Sequence, residues 1–276
     1  MITRIVVAVI AIPLLILLIF LAPLWAFSIL VGMISAGAAW ELLRCTDINS
    51  PVRFRVYASA VAMATPIACA FASEGSVITN SAMYLLAAAM FLELMLSLRK
   101  QERVSVETVV RVIFAGGVMP LFLSALVRIG LREDDDLTSV YLLLPFVATF
   151  SSDSGAYFAG MFHGKKKIFP NLSPNKTLEG CIGGFVSAIA MMLLYGFVLA
   201  LLNFEVNYLY LAVYGLLGSL ACEFGDLVFS SIKRQYGIKD YGNLIPGHGG
   251  MLDRFDSIHF TAPMIELLVL LLPAIA

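Results

Sequence analysis

Apolar residues in this chain neither alternate nor keep to one helical face. They come in continuous runs, of which Ile5 to Ala22 is the first. Read against charges, prolines and glycines, the runs predict nine helices over approximately 5–22, 24–43, 56–72, 81–98, 108–128, 139–160, 179–202, 208–229 and 257–275. A helix needs roughly 20 mostly apolar residues to cross the hydrocarbon of a bilayer, and each run approaches that length. Strands of a membrane barrel would alternate apolar and polar positions instead. The expected fold is therefore all-α and polytopic, with about nine transmembrane helices. Pro13, Pro66, Pro120, Pro145 and Pro263 fall in or near these runs, where neighbouring helices can satisfy the freed carbonyls and kinks are expected. Residues 1–22 resemble a signal peptide in having Arg4 ahead of an apolar run. The run is longer than an ordinary signal core and no small-x-small cleavage site follows, so it reads as the first span.

Composition narrows the class. Of 276 residues, 60% are hydrophobic and 13% charged, which excludes a soluble globular enzyme, a disordered chain and a collagen-like fibre. The net charge of −1 says little, but the placement of charge says more. With the N-terminus in the cytoplasm, sixteen of the 18 basic residues fall on the cytoplasmic side of nine crossings, leaving only Arg128 and Arg132 outside beside the run Glu133 to Asp136. The positive-inside rule then sets the orientation, at the cytoplasmic membrane. Cys45, Cys69, Cys181 and Cys222 lie far apart with no metal-ligand or redox spacing, and read as packing residues.

Two cytoplasmic loops, 161–178 and 230–256, are long and rich in glycine, proline and lysine, as loops with a function often are. The span before each carries carboxylates near its cytoplasmic end: Asp153 in the sixth, Glu223 and Asp226 in the eighth. Such charges are costly unless they face a partner or a wet cavity. On a helix, Glu223 and Asp226 share a face, as do Asp253 and Asp256, with Cβ atoms roughly 5–6 Å apart. Lys233 lies two turns beyond Asp226 on the same face. Four carboxylates among Lys233, Arg234, Lys239, His248 and Arg254 suit a site for Mg²⁺ and phosphate, with the metal bridging phosphate oxygens and the cations covering the rest. An ordinary solvated loop carrying positive-inside charge is the plain alternative.

Ser230 to Asp256 reads SSIKRQYGIKDYGNLIPGHGGMLDRFD. Throughout its length this segment resembles the signature of the phosphatidate cytidylyltransferases, also called CDP-diacylglycerol synthases. Ser230, Lys233, Arg234, Lys239, Asp240, Gly242, Pro246, His248, Gly249, Gly250, Asp253, Arg254 and Asp256 all match at the family's spacing. Upstream, SDSGAYFAG at 152–160 resembles the family's Asp-Ser-x-Ala-Tyr segment, and SPNKTLEG at 173–180 its Ser-Pro-Lys-Lys-Thr-x-Glu-Gly loop, with Asn175 where lysine is common. The resemblance divides the chain into N-terminal helices, 1–135, and a motif-bearing catalytic region, 136–276.

The resemblance implies CTP and phosphatidate as substrates, CDP-diacylglycerol and pyrophosphate as products, and an active site at the cytoplasmic face of the bilayer. It implies Asp226 and Asp253 as ligands of Mg²⁺, with Asp256 and Glu223 as further ligands or outer partners and room for a second cation. Asp226, Asp253, Lys233 and His248 become the expected catalytic residues. Ser173, Lys176, Thr177, Arg234, Lys239, Gly249, Gly250 and Arg254 become the expected substrate contacts. No nucleic-acid partner is expected, and a homodimer is allowed for. The rival readings are a CTP-dependent lipid kinase and an ion-coupled transporter, whose site would lie at the membrane midplane between repeats. Among the remaining features, Gly180 and Gly184 read as a helix-packing pair. His163 and His259 read as structural, and Glu93 and Glu266 as intramembrane carboxylates that need partners. Lys165 to Lys167 read as positive-inside charge with an added attraction for anionic headgroups.

Overall fold

The structure is a computed structural model that describes residues 13–47, 50–97, 104–131, 135–170, 172–243 and 249–275. Every regular element among them is helical. Residues 13–21 form a helical segment, followed by α1 (Leu24–Thr46), α2 (Val52–Ala70), α3 (Ala72–Ser97) and a broken helix over Val106–Ile129. Beyond these come α4 (Asp135–His163), α5 (Leu178–Leu201), α6 (Tyr208–Gln235), the single turn α7 (Leu252–Phe255) and α8 (Ile258–Leu271). Among the described residues helix covers most of each predicted run; residues 5–12 of the first run lie outside them, and the last helix stops at Leu271, short of the predicted 275. Four of these helices, Leu24–Thr46, Val106–Ile129, Leu178–Leu201 and Tyr208–Gln235, are long and apolar enough by themselves to cross a membrane. The others are shorter or carry charge: α2 begins with Arg53 and Arg55, α4 contains Asp153, and α8 has 14 residues.

The chain divides into two compact units. The first is Met1–Leu131 with Tyr236–Phe255, and the second Arg132–Gln235 with Asp256–Ala276.

In the first unit the helices approach closely where side chains are missing. A Cβ on Gly32 would stand 2.7 Å from Met63 O of α2, and one on Gly116 2.7 Å from Ala58 Cα. Gly116 lies in a wide π-turn, Phe114–Val118, closed by Met119 N–H on Phe114 O. Pro120, which follows, has no N–H to give the regular ladder, and the wider turn falls just before it. Glu93, inside an apolar helix, has the partner that its position demands: Arg53 Nε and Nη2 donate to its two carboxylate oxygens at 3.0 Å each.

In the second unit α4 and α5 pack through glycine. Added Cβ atoms would meet Ala156 O at 3.0 Å from Gly180, Ser152 O at 3.0 Å from Gly184 and Gly183 O at 2.7 Å from Gly155. Gly180 and Gly184 thus serve helix packing, as their spacing suggests, and Gly155 of the SDSGAYFAG segment does the same. Gly215 brings α6 onto α5, its absent Cβ facing Ile189 Cα at 2.6 Å. His259 is buried and packs edge-on to Phe229, ring centres 5.4 Å apart, while His163 is exposed at the end of α4. Between the helices, Ser152 and Ser219 share a buried hydroxyl–hydroxyl hydrogen bond of 2.7 Å.

Gly155→Val would force a branched side chain against Gly183 O and Ser187. Overpacking of this kind costs about 1–3 kcal/mol, so the thermal unfolding midpoint of the detergent-solubilised protein should fall by several degrees, read by tryptophan fluorescence or size-exclusion after heating.

Candidate functional site

In the second unit the loop after α4 folds back on itself before α5 begins. Ile168 N–H donates to Lys176 O at 3.2 Å and Leu178 N–H to Lys166 O at 2.8 Å, and an antiparallel bridge joins Lys167 to Thr177. Ser173 sits in the turn between, its N–H on Phe169 O at 2.9 Å and its carbonyl accepting from Lys176 N–H at 3.1 Å. Thr177 is the N-cap of α5, its hydroxyl oxygen accepting from Gly180 N–H at 3.1 Å, the usual way to satisfy an amide in the first turn. Glu179 accepts from the N–H groups of Lys165 and Lys166 at 3.0 and 3.2 Å. Pairing of this kind leaves Lys165 to Lys167 exposed and turns Lys176 inward.

Lys176 ends between two carboxylates of α6. Its Nζ is 2.6 Å from Glu223 Oε2 and 2.7 Å from Asp226 Oδ2. Both acids therefore do lie on one face, as their spacing of three predicts, and a single cation reaches both. Burial works against the Lys176 charge, but the carboxylates of Asp226 and Glu223 outweigh it and hold the ammonium well above the ordinary lysine range. Around this core stand Cys181, whose Sγ is 3.7 Å from Glu223 Oε2, Cys222, 3.4 Å from Asp153 Oδ1, and Ser230, whose hydroxyl donates to Asp226 Oδ1 at 3.4 Å. The cysteines remain free thiols, and two of them border charge rather than merely filling space.

Lys233, in the last turn of α6, is buried and 3.9 Å from Asp256 Oδ2. Asp256 also accepts from Ser257 N–H at 2.8 Å. Its carboxyl is pushed up to about 7, first by burial and then by the negative charge of Asp226, with Lys233 pulling the other way and Asp153 adding to the rise. Arg234 is exposed, and its Nε–H donates to Leu172 O at 3.2 Å, tying the end of α6 to the 161–178 loop.

The first unit contains the rest of the signature. The helical turn that carries Asp253 ends at Phe255, one residue before Asp256. Asp253 Oδ2 accepts from Tyr241 N–H at 2.7 Å and Gly250 N–H at 3.0 Å. Gly249 has φ +84°, in the left-handed region that glycine alone enters freely. Lys239 and Arg254 are exposed. His248 lies outside the described residues, as does Pro246. Glu41 of α1 also touches this segment, accepting from the N–H groups of Met251 and Leu252 at 2.9 Å each. No motif marks Glu41. The signal it does leave is a carboxylate inside an apolar run, the same feature that singles out Glu93.

A family model described as the cytidylyltransferase family matches residues 2–272. The chain belongs to that family. It is 43% identical over 143 residues, 52% of either chain, to a phosphatidate cytidylyltransferase of Bacillus subtilis. Over 131 residues it is 44% identical to that of Staphylococcus aureus strain COL, and over 130 residues 40% identical to that of Staphylococcus haemolyticus, in each case covering 47% of this chain and 49% of the relative. The chain thus spans about half the length of the curated relatives it matches.

Among the described residues, no three His, Cys, Asp or Glu side chains are grouped closely enough to hold a metal ion by themselves. Magnesium does not require this, since it commonly takes one or two carboxylates and completes its shell with water and substrate phosphates. Glu223 and Asp226 converge on a single cationic centre, the Lys176 ammonium, and all their donor atoms are oxygen. The pair fits such an ion.

Lys176→Met would leave two facing carboxylates with no cation between them. Breaking a fully buried pair costs about 3–5 kcal/mol. Here the Asp226 side chain is 30% exposed, so about 2 kcal/mol is expected after allowing for solvent screening. In metal-free buffer the unfolding midpoint should fall, and adding Glu223→Gln to the same protein should recover part of the loss.

Proposed function

We propose that this chain transfers the cytidylyl group of CTP to phosphatidate, giving CDP-diacylglycerol and pyrophosphate, in a bacterial inner membrane that it crosses nine times with its N-terminus in the cytoplasm. Its partners in this reading are CTP, phosphatidate and the bilayer. The observation that carries the reading is the Lys176, Glu223 and Asp226 cluster on an apolar helix, in a chain of the cytidylyltransferase family. The activity for which the relatives are named and the signature at 230–256 support phosphatidate as the acceptor. The one-sided placement of basic residues supports a cytoplasmic site.

The chemistry needs charge cancellation more than it needs a base. A lipid phosphate is already an anionic nucleophile, and it must approach a triphosphate carrying several negative charges of its own. One phosphate oxygen forms a bond to the α-phosphorus of CTP, the bond from that phosphorus to the β-phosphate bridging oxygen breaks, and pyrophosphate leaves with the electron pair. Glu223 and Asp226 would hold Mg²⁺, which when bound draws charge from the phosphate oxygens. Lys176, between Glu223 and Asp226, and Lys233, beside Asp256, supply fixed positive charge where water is partly excluded and such charge acts strongly. Thr177 and Ser173 fix the loop that aims Lys176. No proton has to be removed from the nucleophile, so an activated serine is unnecessary.

Product analysis tests this directly. CTP labelled at the α-phosphorus should transfer its label to the lipid together with the cytidine, and CTP labelled at the γ-phosphorus should not. Lipid labelled from the γ-position would establish the kinase reaction instead. In the same assay, Asp226→Asn should lower turnover at least about a hundredfold, given the several kcal/mol that a bound metal contributes to transition-state charge, with an unchanged size-exclusion profile. Asp253→Asn, which removes the charge that accepts from Tyr241 and Gly250 N–H, should be similarly damaging. Full turnover in Asp226→Asn would remove that residue from the metal site.

A further inference from the structure

We infer that Glu41, in the second apolar run of the chain, is a positioning residue for the signature segment, clamping residues 241–243 and 249–253 in the shape that cytidylyl transfer uses. The inference rests on the proposed function only for its kinetic part.

Glu41 is buried, with 8% of its surface exposed, and a buried carboxylate in an apolar helix is costly unless its lone pairs are used. Its two oxygens are divided between two amides, Oε1 accepting from Met251 N–H and Oε2 from Leu252 N–H, both at 2.9 Å. The loop is cut to fit the carboxyl. A Cβ on Gly242 would stand 2.5 Å from Glu41 Oε1 and 2.8 Å from Cδ, and one on Gly250 2.6 Å from Cδ. Both signature glycines are thus explained by close approach to this carboxylate. Asp253 completes the clamp from the loop side through Tyr241 and Gly250 N–H, and Tyr241 O accepts from the thiol of Cys45 at 3.0 Å, one helical turn beyond Glu41 on α1. Only a carboxylate can accept from both amides. A glutamine keeps one acceptor oxygen and sets an NH₂ against the second N–H.

The test uses the full-length protein in detergent micelles or nanodiscs. Cys45 reports the state of the clamp, because its thiol rests on Tyr241. Modification of Cys45 by N-ethylmaleimide, resolved by peptide mass spectrometry, should be about tenfold faster in Glu41→Gln, since losing a charge-assisted hydrogen bond favours local opening. Gly242→Ala, which presses on the same carboxyl from the loop side and leaves α1 unaltered, should give the same change. For CTP turnover, kcat/KM should fall about tenfold in Glu41→Gln while the thermal midpoint moves only a few degrees, and Glu41→Asp, which keeps the charge, should recover part of the activity. Cys45 modification within twofold of wild type in both Glu41→Gln and Gly242→Ala overturns the clamp. Faster modification with unchanged kcat/KM overturns its role in transfer. If Glu41→Gln does not fold, Gly242→Ala decides. A wild-type protein without CTP turnover would overturn the proposed function, and the Cys45 rates would still decide the clamp.

Discussion

A charge placed in an apolar helix has to be answered within a few ångströms, and the architecture of this protein follows from that requirement. Water, which elsewhere screens and solvates carboxylates, is scarce along a membrane-spanning surface. Glu223 and Asp226 are answered by Lys176, Asp256 by Lys233, Glu93 by Arg53, and Glu41 by two backbone amides. Each answer joins segments distant in the sequence, so the charges act as specific cross-links in a protein whose helices otherwise meet through nearly featureless apolar surface.

Small residues make those cross-links reachable. Hydrocarbon side chains gain little by leaving lipid for one another, and close backbone approach through glycine compensates with dispersion contacts. In the second unit Gly155, Gly180, Gly183 and Gly184 draw α4 and α5 together, so that the loop connecting them is held at both ends and Lys176 is delivered to α6. In the first unit Gly242 and Gly250 let a loop lie directly on a carboxylate. Packing and chemistry are thus coupled: the residues that allow helices or loops to touch also decide where the charged side chains point.

The acidic cluster also suits the polyanionic substrates of the proposed reaction. Glu223 and Asp226 converge on one cation, Lys176, and Lys233 stands beside Asp256. Burial and the charge of Asp226 push the Asp256 carboxyl up to about 7. A substrate phosphate arriving there would meet compensated rather than bare negative charge, which is the condition for two anions to react with each other.

The positions of the helices and the i, i+3 pairing of Glu223 with Asp226 were legible from the chain alone. Continuous apolar runs and helical periodicity are local properties, carried by each run separately. The signature residues were legible as motifs, and Lys176 as one of the substrate contacts that the resemblance implies. The sequence did not show that Lys176, 47 residues from Glu223, lies between Glu223 and Asp226, because that depends on the hairpin pairing of 166–168 with 176–178. Nor did it show that Asp253 accepts from the N–H groups of Tyr241 and Gly250, since those contacts depend on how the loop folds. Glu41 was the least visible. Its importance comes from two amides 210 and 211 residues away, and a contact of that separation is chosen by tertiary packing, which no local pattern encodes.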